Sequence, residues 1–417
     1  MNIKIENGVF HAHSEYSIYD SSTSPKELAK RVSELGGKFL ALTEHGVMTS
    51  MFKHLEACKE FGIKGIVGIE AYVKEDTDTS RSHLVIIAKN YKGYKALCKA
   101  ITMSYERMDS NGYPLMNKEI LDKCFGASSG NFGSVFATSA CVAGVIANKI
   151  LVNEGVKKSI SDLQSKIEVY NFDEKKFILD KSTYKEISDE VDKLQNEKSE
   201  LLKISKKSTQ MLEKNIEMFK AEKSPLLTDA LKKLDEIKNA GKKAEEINKE
   251  LLVKKKEKKT LGDSLKITEN VQKEIESYKK EIAKLTSKLK SDDDIKSDAD
   301  NEVREYAKIF GVQNFLIELQ YHRIKNERIV YPMLWEIAKK RKLRVIAAND
   351  CHYAYNDERS IVGRQLNQSK RYPSKTYKAS CFVKEEGYGE YYIKTDEELK
   401  AYLSEILPPE AIEAAFD

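Results

Sequence analysis

The sequence has no paired cysteines. Its six (Cys58, Cys98, Cys124, Cys141, Cys351 and Cys381) include no two at CxxC spacing, which argues against a zinc ribbon, a dithiol redox motif and a disulfide-stapled scaffold. No apolar run approaches the ~20 residues of a membrane span. Met1 to Phe10 mixes polar and apolar residues and does not resemble a cleavable leader. Free thiols, a cytoplasmic location and no membrane partner are the expectations. An excess of one charge is also missing: 71 basic residues face 66 acidic ones, a net charge of +5. That balance does not by itself mark a nucleic-acid binder. Histidine is scarce as well, with 7 in 417 residues, so the placement of each carries information.

The composition divides the chain. Residues 1–154 alternate short apolar runs with helical patterns. The runs include Lys38–Thr43, Ile66–Ile69, Leu84–Ala88 and Val135–Thr138. Runs of this length between glycines and charges fit strands buried on both faces. A marked helix precedes the first of these runs: Ser24 and Glu27 form a capping box, Pro25 opens the first turn, Leu28, Val32 and Leu35 make the apolar stripe, and Gly36 stops it. Strand, helix, strand at this spacing predicts an α/β domain, of which a barrel is one form.

Residues 155–300 are rich in Lys, Glu, Ser, Asp and Leu, with one proline, Pro225. Apolar residues recur every three or four positions, as in Ile187, Val191, Leu194 and Leu201, and again from Val271 to Leu289. A narrow apolar stripe predicts a coiled coil, and Pro225 near the middle predicts two arms folded into a hairpin. A disordered charged linker is the alternative. The globular pattern resumes over 301–360, with a strand at Asn314–Leu319, a helix at Ile329–Lys340 and a strand at Leu343–Ala348. A tail rich in Tyr, Lys and Glu follows over 361–417.

Five of the seven histidines sit at strand edges. His11 and His13 alternate, so both imidazoles share one side of an extended chain. His45 ends a strand, Glu70 lies in or after the next, and Asp350 and His352 repeat the alternation after the last. At the mouth of an α/β barrel such residues converge, and the spacing predicts a multinuclear metal site from His11, His13, His45, Glu70, His83, Asp350 and His352. His83 fits poorly because it precedes its strand. His54, on a predicted helix face, is expected to be solvated, and His322 lies beyond a strand with no assigned role.

Several segments in fixed order resemble the PHP (polymerase and histidinol phosphatase) domain, in the form found in bacterial DNA polymerase III alpha subunits. They are Phe10–Ser17 (FHAHSEYS), Ala41–Gly46 (ALTEHG), Gly68–Val73 (GIEAYV), His83–Asn90, Thr138–Gly144 (TSACVAG), Phe315–Gln320 (FLIELQ) and Ala348–Tyr353 (ANDCHY). Tyr391–Leu399 resembles the lead-in to the polymerase palm in that family. The resemblance implies a distorted (β/α)7 barrel, here interrupted by a long α-helical coiled-coil hairpin, with two to three divalent ions (Zn, Mn or Fe) at its mouth. It assigns His11, His13, Glu70 and Asp350 to one ion. Asp20, His45 and His352 go to a second, and Glu70, His83 and Cys141 to a third. Glu44 stands where the family usually has aspartate and is expected to orient a ligand.

The mixed imidazole, carboxylate and thiol set suits Zn, Mn or Fe better than Mg, and closely spaced ions activate water for attack on phosphorus. His11, His13, His45, Glu70, Asp350 and His352 are the expected catalytic set. The resemblance implies a phosphoesterase, a 3′–5′ exonuclease or related phosphatase linked to DNA replication, acting on DNA or a nucleotide phosphate. No acidic triad of a polymerase follows the barrel, so the chain is not expected to polymerise DNA alone. Two other readings stay open: a scaffold subunit of a split polymerase or replisome, and an amidohydrolase-type metal hydrolase. The paired Asp350 and His352 count against the latter. The hairpin could join two copies of the chain into a homo-oligomer. Arg81, Arg323 and Lys89 are candidate phosphate ligands.

Overall fold

The computed structural model describes residues 4–78, 80–357, 359–362, 364 and 388–417, without the side chains of 204–208 and 388. The tail assigned to 361–417 is thus described in part, and residues 365–387, with Cys381, lie outside it. The chain forms two compact units, residues 1–155 with 290–417, and residues 156–289.

The first unit is mixed α/β, a curled sheet surrounded by helices. Its strands are β1 (Gly8–Val9), β2 (Phe39–Leu42), β3 (Lys64–Val73), β4 (Ser82–Ala88), β5 (Leu115–Met116), β6 (Val135–Thr138), β7 (Phe315–Leu319) and β8 (Val345–Ala347). They lie in the order β1-β2-β3-β4-β6-β7-β8, with β5 beside β3. All pairings are parallel except those of β4, which runs antiparallel to β3 and β6. Past the named strands, Ala12 bridges Cys351 in parallel register. Main-chain bonds His13 N–H to Cys351 O (2.7 Å) and Cys351 N–H to His11 O (3.1 Å) hold that bridge.

Alternation along the strands separates two faces. Leu84 and Ile86 of β4, with Ile69 and Ala71 of β3, pack outward into the main hydrophobic cluster with the helices. Val85 and Ile87 face inward with Ala41. Helix α1 (Pro25–Glu34) forms as its sequence predicts: Ser24 accepts from Glu27 N–H in a full capping box, and Leu28, Ala29 and Val32 are buried. Helix α2 (Met51–Glu60) buries His54, Ala57 and Cys58. His54 is therefore not solvated: its Nε2 lies 3.0 Å from Ile66 O and the residue is only 1% exposed. Burial pushes its pKa down. His54 shares the buried face with Ala57 and Cys58, opposite the charged Lys53, Glu56 and Glu60.

Helices α3 (Tyr91–Tyr105), α4 (Lys118–Phe125) and α5 (Ala147–Ile150) complete the first part of this unit, and α6 (Val152–Val169) follows. The second unit consists mainly of α7 (Glu174–Ala221) and α8 (Leu227–Thr286), joined by a turn holding Pro225. These run antiparallel. Lys181 pairs with Glu269 at 3.1 Å, Glu190 with Lys254 at 2.9 Å, and Glu197 with Lys243 at 3.2 Å. Within α8, buried Ala230, Ile237, Ala244, Leu251 and Leu265 fall on a repeat of seven. The ion pairs are half-exposed and worth little energy, so the apolar seam holds the two helices together.

Helix α9 (Asp292–Phe310) returns to the first unit with Ile295, Ala299 and Val303 in its core, so residues 290–300 belong with the sheet. Helices α10 (Glu327–Arg341), α11 (Asp396–Leu403) and α12 (Pro409–Phe416) finish the unit. Among the described residues no helix is long and apolar enough to cross a membrane.

Candidate metal centre

The residues that meet at one end of the sheet do so because of strand direction. Parallel strands β2, β3, β6, β7 and β8 deliver their carboxyl ends there. Because β4 runs the other way, its first residues arrive at the same end. This resolves the position of His83, which is the second residue of β4 rather than a residue before it, bridges Gly144 and pairs across from Tyr72. The Ala12–Cys351 bridge lays two alternating pairs side by side, His11 and His13 against Asp350 and His352. A second bridge joins His45 to Glu70.

The cluster is tightly spaced and its centre is buried: His11, His13, Glu70, Asp350 and His352 are all buried. Asp350 Oδ1 lies 3.2 Å from the Nε2 atoms of His11, His13 and His352, yet it makes no aligned hydrogen bond. Glu70 Oε1 stands 3.5 Å from His11 Nε2 and 3.1 Å from His83 Nδ1. Its Oε2 is 3.3 Å from His13 Nε2 and 2.8 Å from His45 Nδ1. Cys141 Sγ is 3.8 Å from Glu70 and 3.6 Å from His83. Asp20 holds His45 Nε2 at 2.8 Å and lies 3.9 Å from His352 Nδ1. All nine candidate residues are thus brought to one place.

The donor atoms form two tight groups, His11, His13, Glu70 and Asp350 in one, His45, Glu70 and His83 in the other. The second group cuts across the partition expected from the sequence, which gave His45 to Asp20 and His352. Neighbouring ligands on an ion with bonds of about 2.0–2.2 Å stand roughly 3.0–3.4 Å apart, close to the spacing here. Partnerless buried oxygens converging with imidazole nitrogens are therefore a chemical fit for divalent cations.

Groups outside the cluster fix the imidazoles. His11 Nδ1 donates to Glu318 Oε1 at 2.7 Å, so Nε2 faces the cluster. Glu318 is itself held by Thr138 Oγ1 (2.5 Å), Gln320 Nε2 (2.6 Å) and a main-chain bond to Ser139 Oγ (3.0 Å). His13 Nδ1 donates to Ser17 Oγ at 3.0 Å, and Ser17 donates to Glu44 Oε2 at 2.5 Å while accepting His45 N–H at 3.1 Å. Glu44 orients a candidate ligand as expected, but through Ser17. Three non-glycine residues with positive φ stand in or beside the cluster: Tyr19 (71°) before Asp20, Ala140 (58°) before Cys141, and Asp350 itself (42°). Backbone strain of this kind persists where surrounding structure over-determines it. In the Ser139–Gly144 turn a side chain at Gly144 would collide with Ser139 O.

The electrostatics describe a cluster in want of positive charge. Burial opposes ionisation of Glu70 and Asp350, yet the imidazoles around them win. Glu70, beside His83, His11 and His45, and Asp350, beside His11 and His352, both lie well below the carboxylate range. Burial likewise lowers His11, but Glu318, Asp350 and Glu70 lift it well above an ordinary histidine. His352 goes the other way, to about 4, through burial and then Arg364. Burial, Glu70 and Asp350 push the Cys141 thiol up. Protons retained on imidazoles between carboxylates stand where divalent cations would serve the same balance.

Several contributors were not foreseen. Ser17 and Glu318 lie inside the segments FHAHSEYS and FLIELQ, with no role assigned there; the local hint of Glu318 is a charge inside the apolar run Phe315–Leu319. Arg364 donates to Asp20 Oδ1 (3.3 Å) and Asp20 O (3.2 Å) and lies 4.0 Å over the Tyr391 ring. The tail reaches the site from behind: Tyr391 O accepts His352 N–H at 2.8 Å, and its ring stacks on His322 at 4.1 Å. His322 is a buried structural residue, 2.7 Å from Glu327 and 2.8 Å from Asn349 O. Of the candidate phosphate ligands, Lys89 bonds Asn314 at the opposite end of β4, and Arg323 is held by Glu405. Arg81 lies near the cluster, stacked on Tyr113 at 3.6 Å.

Comparison with known proteins agrees with this frame. The PHP domain model matches residues 10–222, just over half the chain, and the chain belongs to the PHP domain family. Its relatives include DNA polymerase III subunit alpha of Helicobacter pylori, 36% identical over 151 residues, 34% of this chain and 12% of that protein. The subunits of Borreliella burgdorferi (33% over 153 residues, 34% and 13%) and Aquifex aeolicus (33% over 166 residues, 36% and 13%) are similar. The chain's match thus spans about an eighth of the length of these relatives. Among solved structures, an amidohydrolase from Chromobacterium violaceum overlaps 25% of this chain and 34% of its own, at 24% identity and a TM-score of 0.20. That overlap is too small to bear on fold or activity.

Proposed function

We propose that this chain is a metal-dependent phosphoesterase, a 3′–5′ exonuclease or related phosphatase that acts on DNA or nucleotide phosphates during replication. The observation that carries the reading is Asp350 Oδ1, buried and without an aligned partner, 3.2 Å from three imidazole nitrogens. His11, His13, Glu70 and Asp350 would hold one ion. His45 and His83, with Glu70 between them, and with Asp20, His352 and Cys141 around them, would hold one or two more. Divalent zinc, manganese or iron there would activate water and neutralise charge on the phosphoryl oxygens. The protein's own residues keep the imidazole nitrogens aimed inward through Glu318 and Ser17 and exclude bulk water by burial. In this reading the curled sheet, joined at Ala12 and Cys351, is the distorted (β/α)7 barrel, and α7 with α8 is a coiled-coil hairpin.

The test is release of nucleotides from 3′-labelled single-stranded DNA with Mn²⁺ or Zn²⁺. The wild type is expected to release label, and Asp350→Asn at least a hundredfold less; equal release by both would overturn the reading. A second role is favoured by the names of the relatives: a subunit of a polymerase assembly in which this domain is also a scaffold. Co-purification with a palm-containing polypeptide supports that role, and metal-free protein that still assembles separates it from hydrolysis.

A further inference from the structure

Beneath the metal cluster lies a half-open cavity of about 1300 Å³, lined by inward-facing strand residues and by residues of α10, α11 and α12. It exceeds the roughly 300–1,000 Å³ of an ordinary small-molecule pocket. Alternation places its wall: Ile66 shares a face with Glu70, Ile87 with His83, and Leu316 with Glu318, each a few residues further from the mouth. Ile66, Phe136 and Ile346 point into this space and are only half-buried. Apolar walls exposed in a space of this size favour an apolar occupant that removes them from water.

The rim of this cavity is charged, and the charge is one-sided. Six cationic side chains line it against two carboxylates, Asp396 and Asp417; of the six, Lys339 pairs with Glu410 at 3.9 Å and buried Lys394 with Glu390 at 3.5 Å. Lys89 Nζ lies 4.4 Å and Arg344 Cζ 5.5 Å from the centre of the Phe136 ring. Their hydrogen-bond partners are neutral: Asn314 Oδ1 at 3.0 Å for Lys89 and Gln313 O at 2.8 Å for Arg344. Among the described residues neither has a carboxylate at ion-pair distance. Cations over an apolar, low-dielectric space attract and orient an anion at the entrance.

We infer that this cavity is a second binding site, distinct from the metal centre, for a small amphipathic anion: an apolar chain or ring bearing one carboxylate or phosphate. The headgroup sits between Lys89 and Arg344 beside Phe136, and the apolar body fills the space bounded by Ile66, Ile87 and Leu316. The roof includes Thr138, the residue that donates to Glu318, so an occupant touches the layer that positions His11.

Two probes separate the sources of such chemistry, decanoate for an acyl chain and thymidine 5′-monophosphate for a nucleotide. Each is titrated into the full chain by calorimetry while the fluorescence of Trp335, the only tryptophan and part of the cavity wall, is followed. Saturable one-to-one binding of either probe with a change in Trp335 emission is expected, and the probe that binds names the source. Lys89→Glu with Arg344→Glu, at two exposed positions, is expected to weaken binding at least tenfold while metal content stays unchanged. Saturable binding of neither probe overturns the inference, and so does binding that the double variant leaves intact, since that binding resides elsewhere.

Discussion

Glu318 holds His11 Nδ1 at 2.7 Å across a separation of 307 residues, with the whole helical unit inserted between them in sequence. The carboxylate fixes the tautomer and makes Nε2 the atom facing the cluster. Loss of such an orienting carboxylate typically costs 10–100-fold in metal affinity or activity. Glu318→Gln keeps the shape, so it should still fold, lose metal affinity by roughly that factor, and, without the carboxylate that pairs with His11, melt lower than the wild type in the absence of metal. Metal titration and thermal denaturation check both halves; unchanged affinity would mean His11 is held by packing alone.

Ser17 is a single hydroxyl with every hydrogen-bonding capacity used: it donates to Glu44 and accepts from His13 Nδ1 and His45 N–H. Ser17→Ala strands these buried groups. A buried polar group left unsatisfied costs about 1–3 kcal/mol, and the variant should be destabilised by that order in denaturant unfolding. Ser17→Thr keeps the hydroxyl and should recover most of the loss.

How legible these residues were follows from where their partners lie. His11 and His13, or Asp350 and His352, declare themselves by alternation beside apolar runs, and local periodicity shows that. His83 looked misplaced because a one-dimensional pattern does not carry strand direction; one antiparallel strand put it in position. Glu318 and Arg364 could not be read, since each acts through a partner 307 or 344 residues away, and Ser17 joins His13 beside it to Glu44, 27 residues on. His54 was misjudged for a related reason: the carbonyl that receives its ring belongs to β3. The long helices were legible throughout, because a repeating apolar seam is a local property.

Lys394 offers a pH-dependent test. Its ammonium is buried, donating to Asn349 Oδ1 at 3.2 Å and to Glu390 O, and burial, outweighing Glu390, brings its pKa down to about 8. Between about pH 8 and the ordinary lysine value of about 10.4, the unfolded chain keeps this proton and the folded chain has lost it. Stability contributed by this residue therefore rises with pH across that window. In Lys394→Met the rise should disappear, so the difference in unfolding free energy between wild type and variant should grow as pH increases from 8 to 10. A constant difference would show that the ammonium keeps its ordinary affinity for protons.

Divalent ions should stabilise the folded chain with the logarithm of their concentration above the dissociation constant, by about 2.7 kcal/mol at a hundredfold excess. Adding Mn²⁺ or Zn²⁺ should raise the melting temperature of the wild type, and chelator should reverse it. His13→Ala removes a nitrogen that lies 3.2 Å from Asp350 and 3.3 Å from Glu70, and its melting temperature should respond far less. An equal response by the variant would place the ions elsewhere.

The base of the helical unit makes its removal practicable. Asn153 Nδ2 donates to Lys290 O at 2.8 Å, and Lys290 N–H donates to Asn153 Oδ1 at 2.9 Å. This reciprocal pair holds the two ends of the sheet-bearing unit together whatever is inserted between them. Replacing residues 156–289 with a short Gly-Ser link should therefore leave the first unit folded, with the same metal content per chain. Closing a shorter loop also costs less entropy, though the gain grows only with the logarithm of length. Sedimentation of the two forms then decides the role of α7 and α8. If the full chain is a dimer and the deletion a monomer, the seam of Ala230, Ile237, Ala244 and Leu251 serves association as well as the hairpin. If both are monomers, α8 satisfies its seam against α7 within one chain, and the hairpin is free to engage a different partner.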